Sequence, residues 1–361
     1  MNGTQLTWTE AELLASDGLE APLVVQGRRC HGGFDANGDY VSPRTKGRVP
    51  AIRAWQQHHV ETFGAAIVVA PIDTWPENYP NVAQAKFLIA AGVREPMITQ
   101  LTRIGTVEGF GAMIRHAHAG DLQRFFDDPI EGTALAHLDT LFEAHARDEA
   151  GFGDEAGHRD MWFVARDVAF ESPPTTDETK VMLERMGIPS TPPSAEQIAA
   201  AQLELRVHDD LDAGFESMIR RMLGILFIEI SAFHTFAWAE AVLADTDLVA
   251  GEGEAARIVS YIRADETPHV EYLKTVLSEI RDRTLIGESG RELAGREVVD
   301  RLWNLALAES LGVRRGAFLA SVVSELERVL DGHRRREAIL DEFHELGSVR
   351  PGPDGVFAAV D

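Results

Sequence analysis

Asp-Glu-x-x-His occurs twice in the 361-residue chain, as Asp154-Glu155-Ala-Gly-His158 and as Asp265-Glu266-Thr-Pro-His269; Glu-x-x-His occurs nowhere else. On an α-helix, positions i and i+3 share a face, so each motif aims one carboxylate and one imidazole at a common point. Two such helices facing each other would present two Glu and two His, the mixed oxygen and nitrogen set that iron and manganese prefer. Of the five Asp-Glu dipeptides, at Asp148, Asp154, Asp177, Asp265 and Asp341, two carry the histidine, where chance would give roughly 0.2. Solvated polar pairs on helix faces would account for one such motif more readily than for two.

Four ligands under-supply two metal ions, so each motif needs a partner helix that brings another carboxylate. Glu229 interrupts the apolar run Leu226-Phe227-Ile228-Glu229-Ile230, where an unpaired carboxylate is costly. A buried salt bridge is its other reading. Measured from a turn near residue 247, Glu229 and Glu266 return to similar heights at about 1.5 Å per helical residue. For the first motif the candidate is Glu108, the only acid between Pro96 and Asp121, in the run Gly105-Thr-Val-Glu108-Gly-Phe-Gly111. Its neighbouring glycines would let a helix or ligand approach closely. Glu143 and Asp148, on the motif helix itself, are the alternatives.

Residues 1–95 read as irregular and turn-rich. Asp35, Asn37 and Asp39 begin like a calcium loop, but Tyr40 replaces its glycine and Lys46 its last glutamate, so the segment reads as a turn. His58-His59 fall in a helix with a surface or packing role. From Pro96 the pattern is helical: 96–118 with Gly120 as a stop, then 132–170 carrying the first motif past a soft spot at Gly151 and Gly153, then a break at Pro173-Pro174. Thr175-x-x-Glu178 and Ser194-x-x-Gln197 fit capping boxes and open two short helices separated by Gly187 and Pro189. Long helices follow at 209–245 and 253–283, the latter carrying the second motif and Pro268, which removes a backbone donor. The tail predicts helices over 291–311 and 315–345 and a loose end at Pro351-Gly352-Pro353.

A net charge of −24 argues against a nucleic-acid partner. One cysteine, Cys30, excludes an intramolecular disulfide and a cysteine-rich metal site. The start, MNGTQLTWTEAELL, lacks a secretory pattern, and the apolar stretch 222–243 holds Glu229, His234 and Glu240, so the expectation is a cytoplasmic protein with no membrane partner. No dinucleotide or P-loop motif is convincing.

One Glu followed by Asp-Glu-x-x-His, repeated across a connection of some 40 residues, resembles the ferritin-like di-iron carboxylate superfamily, and within it the oxygen-activating branch of acyl desaturases and arylamine N-oxygenases. The resemblance implies an all-α fold: a ferritin-like four-helix bundle over 96–285, with a long crossover between its second and third helices. An irregular N-terminal region, 1–95, would pack on it, and a C-terminal helical extension, 286–361, would follow. It implies two iron ions (or manganese with iron) held by Glu108, Glu155, His158, Glu229, Glu266 and His269, with Asp154 and Asp265 orienting the imidazoles. The implied activity is O2-dependent oxidation of a small, largely apolar molecule with an external electron donor, with a homodimer as the expected assembly; a ferroxidase or a non-catalytic helical scaffold are the other readings. Two positions depart from relatives in this group: Trp162 stands where a radical tyrosine would be, and Ile262 where a third histidine would be. Phe110, Trp162, Phe163, Phe227, Phe233, Phe236 and Trp238 are candidates for an apolar shell, and His234 for a core or orienting role.

Overall fold

The structure is a computed structural model that describes residues 5–16, 19–69, 80–118, 120–171, 174–185, 187–188 and 193–348. Pro173, Pro189 and the end at Pro351-Gly352-Pro353 lie outside the described residues. In chain order come α1 (Glu10–Leu13), β1 (Ala21–Val25), β2 (Arg28–Phe34), β3 (Tyr40–Val41), α2 (Thr45–Phe63), α3 (Val82–Ala90), α4 (Glu95–Gly111), α5 (Leu138–Ala150) and α6 (His158–Ala169). They are followed by α7 (Thr176–Arg185), α8 (Ala195–Glu204), α9 (Ala213–Leu243), α10 (Glu254–Arg281), β4 (Thr284–Ile286), β5 (Glu292–Ala294), α11 (Gly295–Ala308), α12 (Arg315–Val329) and α13 (Arg336–Leu346). The protein is predominantly helical.

Four helical columns carry the centre. The long apolar helix α9 returns through a short loop as α10, and α10 packs on α9, α6 and α5, while α4 packs on α6 and α5. The second column is broken, α5 ending at Ala150 and α6 starting at His158. Between α6 and α9, the crossover holds α7 and α8, and both capping boxes form: Thr175 and Glu178 cap α7 reciprocally, as Ser194 and Gln197 cap α8. Helix α9 is long and apolar enough to cross a membrane, but most of its apolar window is buried inside the protein.

Two apolar cores fill the columns. One gathers Phe142, Ala146, Phe227, Ile230, Tyr272 and Val276; the other gathers Leu101, Met161, Trp162, Phe236, Val259 and Ile262. Helices α9 and α10 run through both, and the polar residues Glu229, Asp265, Glu266 and His269 fall at the junction. The polar centre therefore sits between two dry layers.

The described residues of 1–95 are more regular than their turn-rich composition suggests. Val24-Val25 and Arg28-Arg29 pair across Gln26 and Gly27, both with positive φ (49° and 76°). That backbone matches the right-handed twist of a tight hairpin. The segment 35–39 is a turn, in which Asp35 accepts from the backbone amides of Asn37 and Asp39. His59 is buried in α2 beside Asp282 at 3.2 Å. The tail also differs from expectation. A β4–β5 hairpin precedes α11, and the helix expected over 315–345 is interrupted around Gly332, whose φ of 71° a helix cannot continue through.

Candidate metal centre

Five helices deliver the cluster. Glu108 comes from α4, His145 and Glu149 from α5, His158 from the first turn of α6, Glu229 from α9, and Glu266 and His269 from α10. All are buried, His145, His158, Glu266 and His269 completely. Their ligand atoms form two groups that share one residue: His145, Glu149, Glu229 and His269 on one side, and Glu108, Glu149, His158 and Glu266 on the other. Glu266 also faces both ways, Oε1 lying 3.0 Å from His158 Nδ1 and Oε2 2.7 Å from His269 Nδ1. Glu149 Oε1 lies 3.1 Å from His158 Nδ1 and 3.5 Å from His269 Nδ1.

Of the six residues expected to bind metal, the structure brings together Glu108, His158, Glu229, Glu266 and His269. It does not bring Glu155. The Asp154-Glu155-Ala-Gly-His158 motif is not helical. Residues 151–157 form a tight turn in which Phe152 and Glu155 exchange both backbone hydrogen bonds. Gly151 and Gly153 have φ of 83° and 63°, and a Cβ at Gly151 would lie 2.3 Å from the Glu155 carbonyl oxygen. The glycines noted as a soft spot thus end the helix, and i, i+3 geometry is lost. Glu155 turns outward to Arg29 (3.6 Å) and Arg44 (3.5 Å), and Asp154, expected to orient an imidazole, is an exposed partner of Arg29 at 3.2 Å. Glu149, from the preceding Asp-Glu dipeptide, takes the place expected for Glu155. Glu143 pairs with Arg147 and Arg115 away from the cluster.

Outer carboxylates hold two imidazoles in a crossed arrangement. Asp148, beside Glu149, accepts from His269 Nε2 at 3.0 Å; Asp265, beside Glu266, faces His158 Nε2 at 3.5 Å. Burial alone would raise the Asp148 pKa, but the guanidinium groups of Arg48 (2.8 Å) and Arg44 (2.9 Å) hold it well below the ordinary range. Burial works against the Asp265 carboxylate too, yet hydrogen bonds from His158 and His31 bring it down to about 2. His31 Nε2 lies 3.0 Å from Asp265, and the Tyr40 hydroxyl donates to it at 2.8 Å. With each Nε2 turned to a carboxylate, the Nδ1 atoms of His158 and His269 face the cluster.

Sequence reasoning missed His145, Glu149 and the N-terminal residues His31, Tyr40, Arg44 and Arg48. His145 stacks on His269 at 3.9 Å, directs Nε2 at Glu229 Oε1 (3.2 Å) and pairs Nδ1 with the Tyr272 hydroxyl at 3.1 Å. Its spacing four residues before Glu149 was a readable i, i+4 signal. The glycines around Glu108 do what their size permits: a Cβ at Gly111 would lie 2.7 Å from Glu149 Cγ, and one at Gly105 would lie 2.9 Å from Trp162 Cβ. His234 is buried on α9 outside the cluster, and α10 continues as α-helix through Pro268. Trp162, Phe227, Phe236 and Trp238 are buried in the two cores, while Phe233 is partly exposed.

Burial and mutual repulsion set the electrostatics of the cluster. Burial, reinforced by the other carboxylates, pushes Glu108 well above the usual carboxylate range, and Glu266 and Glu149 are raised by burial as well. Burial and the neighbouring His145 hold His269 down at about 3. Glu108 Oε2 and Glu149 Oε2 are buried without a hydrogen-bond partner, while Glu266 Oε1 and His145 Nε2 have ion-pair contacts to His158 and Glu229. Four carboxylates around three imidazoles, with unpartnered atoms turned inward, match the donor set of two divalent cations, whose charge would offset four glutamates. No family model, curated protein or solved structure matches this chain.

Proposed function

We propose that the chain is a ferritin-like di-metal protein that binds two iron ions and uses them to oxidise a small, largely apolar organic molecule with O2. The observation that carries this reading is the pair of buried ligand groups joined through Glu149, with inward-facing atoms left unpartnered. Glu108, Glu149, His158 and Glu266 would hold one ion, and His145, Glu149, Glu229 and His269 the other. Ferrous ions in such a nitrogen and oxygen set, with positions left open, supply the electrons for reduction of O2.

The protein's own part is positioning and exclusion. Asp148 and Asp265 fix the rings of His269 and His158 so that Nδ1 points inward. The two apolar cores on either side keep bulk water from the centre. An external electron donor belongs to this reading: of the four electrons O2 takes up, two would come from the substrate and two from the irons, which would have to be reduced again before another turnover. Manganese in place of one iron is compatible with the same ligands.

The test is metal content after anaerobic loading with Fe(II) and removal of loosely held ions. About two irons per chain are expected, falling below one in Glu266→Ala. Wild-type protein that retains none would overturn the proposal. O2 uptake that depends on an organic substrate then separates an oxidase from a ferroxidase.

A further inference from the structure

A groove of about 610 Å³ opens beside the centre, between α4, α6 and α7. It falls in the range of cavities that take a small organic ligand. Thr106, Gly109 and Phe110, on either side of Glu108, line it, as does Arg159, the residue after His158. Phe163, Val164 and Leu183 give it apolar walls.

Its charge runs against that of the molecule. In a chain of net charge −24, the groove is lined by Arg28, Arg159, Arg166 and Lys180 against only Asp160 and Asp167. Both acids are already matched, Asp160 by Arg28 at 3.0 Å and Asp167 by Arg166 at 2.7 Å. Lys180 has a loose, exposed contact with Glu184 at 3.9 Å. Arg159 makes no ion pair among the described residues; its guanidinium lies over the Phe163 ring, 5.7 Å from the centroid. Gly109 makes room for this, since a Cβ there would lie 2.8 Å from Arg159 Cδ.

We propose that this groove binds the organic substrate, and that Arg159 and Lys180 read an anionic oxygen head group, carboxylate or phosphate, on an apolar chain. The guanidinium is held at the rim over an aromatic face, its charge unspent on protein carboxylates and its donor fork suited to an oxyanion. The apolar walls of Phe163, Val164 and Leu183 take the chain, one residue along the backbone from Glu108 at Gly109 and from His158 at Arg159. The role as substrate site rests on the di-metal reading; the binding does not.

Calorimetric titration of the full chain with octanoate, octyl phosphate and octanol tests it, before and after Fe(II) loading. One anion should bind per chain, about tenfold more tightly than octanol. Arg159→Gln should remove that preference while leaving octanol binding unchanged. Arg257→Gln, at an exposed arginine paired with Glu254, should change nothing. The order of octanoate and octyl phosphate identifies the head group. Failure of both anions to bind, anions no tighter than octanol, or an Arg159→Gln variant that keeps the preference would each overturn the proposal. Anion binding by protein that retains no iron after Fe(II) loading would spare the groove as a binding site, the missing iron alone sinking the di-metal reading.

Discussion

In the half of the centre built by α9 and α10, Glu266 and His269 stand three residues apart on one unbroken helix. In the half built by α4, α5 and α6, Glu149 and His158 stand nine residues apart on two helices. Both pairs nevertheless bring carboxylate and imidazole to the same point, each histidine facing the aspartate that precedes the other half's glutamate. The first half needs outside support that the second does not. Its inserted turn is tied to the N-terminal sheet, with the Ala156 amide donating to Arg29 and the His31 amide donating to Ala156. The meeting of a carboxylate and an imidazole therefore depends on where side chains end, and a helix can be opened between them if another element holds the ends.

The sharpest way to break this comparison is to exchange the two glutamates of the first half. Glu149→Ala should lose most retained metal, from about two ions per chain to fewer than one, whereas Glu155→Ala should retain both. Elemental analysis decides it, and metal loss in Glu155→Ala alone would reverse the assignment.

The outer carboxylates should differ in their cost to stability. Asp148→Asn leaves Arg44 and Arg48 buried without their anion and should cost about 3–5 kcal/mol in denaturant unfolding. Asp265→Asn loses partners that need not be charged, His31 and Tyr40, and should cost about 1–3 kcal/mol. Equal losses would mean that the arginines do not set the first half apart.

Glu279 links the halves, and its effect should depend on pH. It lies near the end of α10 and accepts from the backbone amides of Ala134 and Leu135, in the turn that leads into α5. Burial raises its pKa from an ordinary 4.5 to about 7. The folded chain then keeps a proton that the unfolded chain releases, so this contribution is fully present below pH 4.5 and is lost as pH rises through 7. Relative to Glu279→Gln, the wild type should lose on the order of 2–3 kcal/mol between pH 4.5 and 8. Parallel stability curves for the two proteins would contradict it.

Gly151→Ala should cost about 1–3 kcal/mol from positive φ and collision with the Glu155 carbonyl. The loss should be accompanied by faster amide exchange in residues 151–157 than in α10. Uniform loss of protection would argue that the turn and the second half open together.

The second half was legible because helical spacing is local: Glu229, Glu266 and His269 follow from apolar periodicity and an i, i+3 pair. Glu108 was legible as a lone acid among glycines. The first half misled because a text match ignores backbone, and seven residues containing three glycines cannot carry helical geometry to His158 as a helix of Ala or Leu would. The predominantly helical organisation and both capping boxes were readable for the same local reason, whereas the β1–β2–β3 sheet and the β4–β5 hairpin were not. The partners of Asp148 and Asp265 were not, since Arg44 and His31 reach them across 104 and 234 residues, and nothing in local spacing marks such a meeting.

Those separations also govern how the molecule comes into being. Strand β2 leaves the ribosome early, yet the aspartate it must meet is made 234 residues later. Local helices can form as they emerge, but the centre cannot close until α10 has arrived and a very large loop has been drawn shut. The bonds that orient the histidines are therefore among the last to form during synthesis, and until then the nascent chain carries a hairpin whose inner face waits for a helix not yet made.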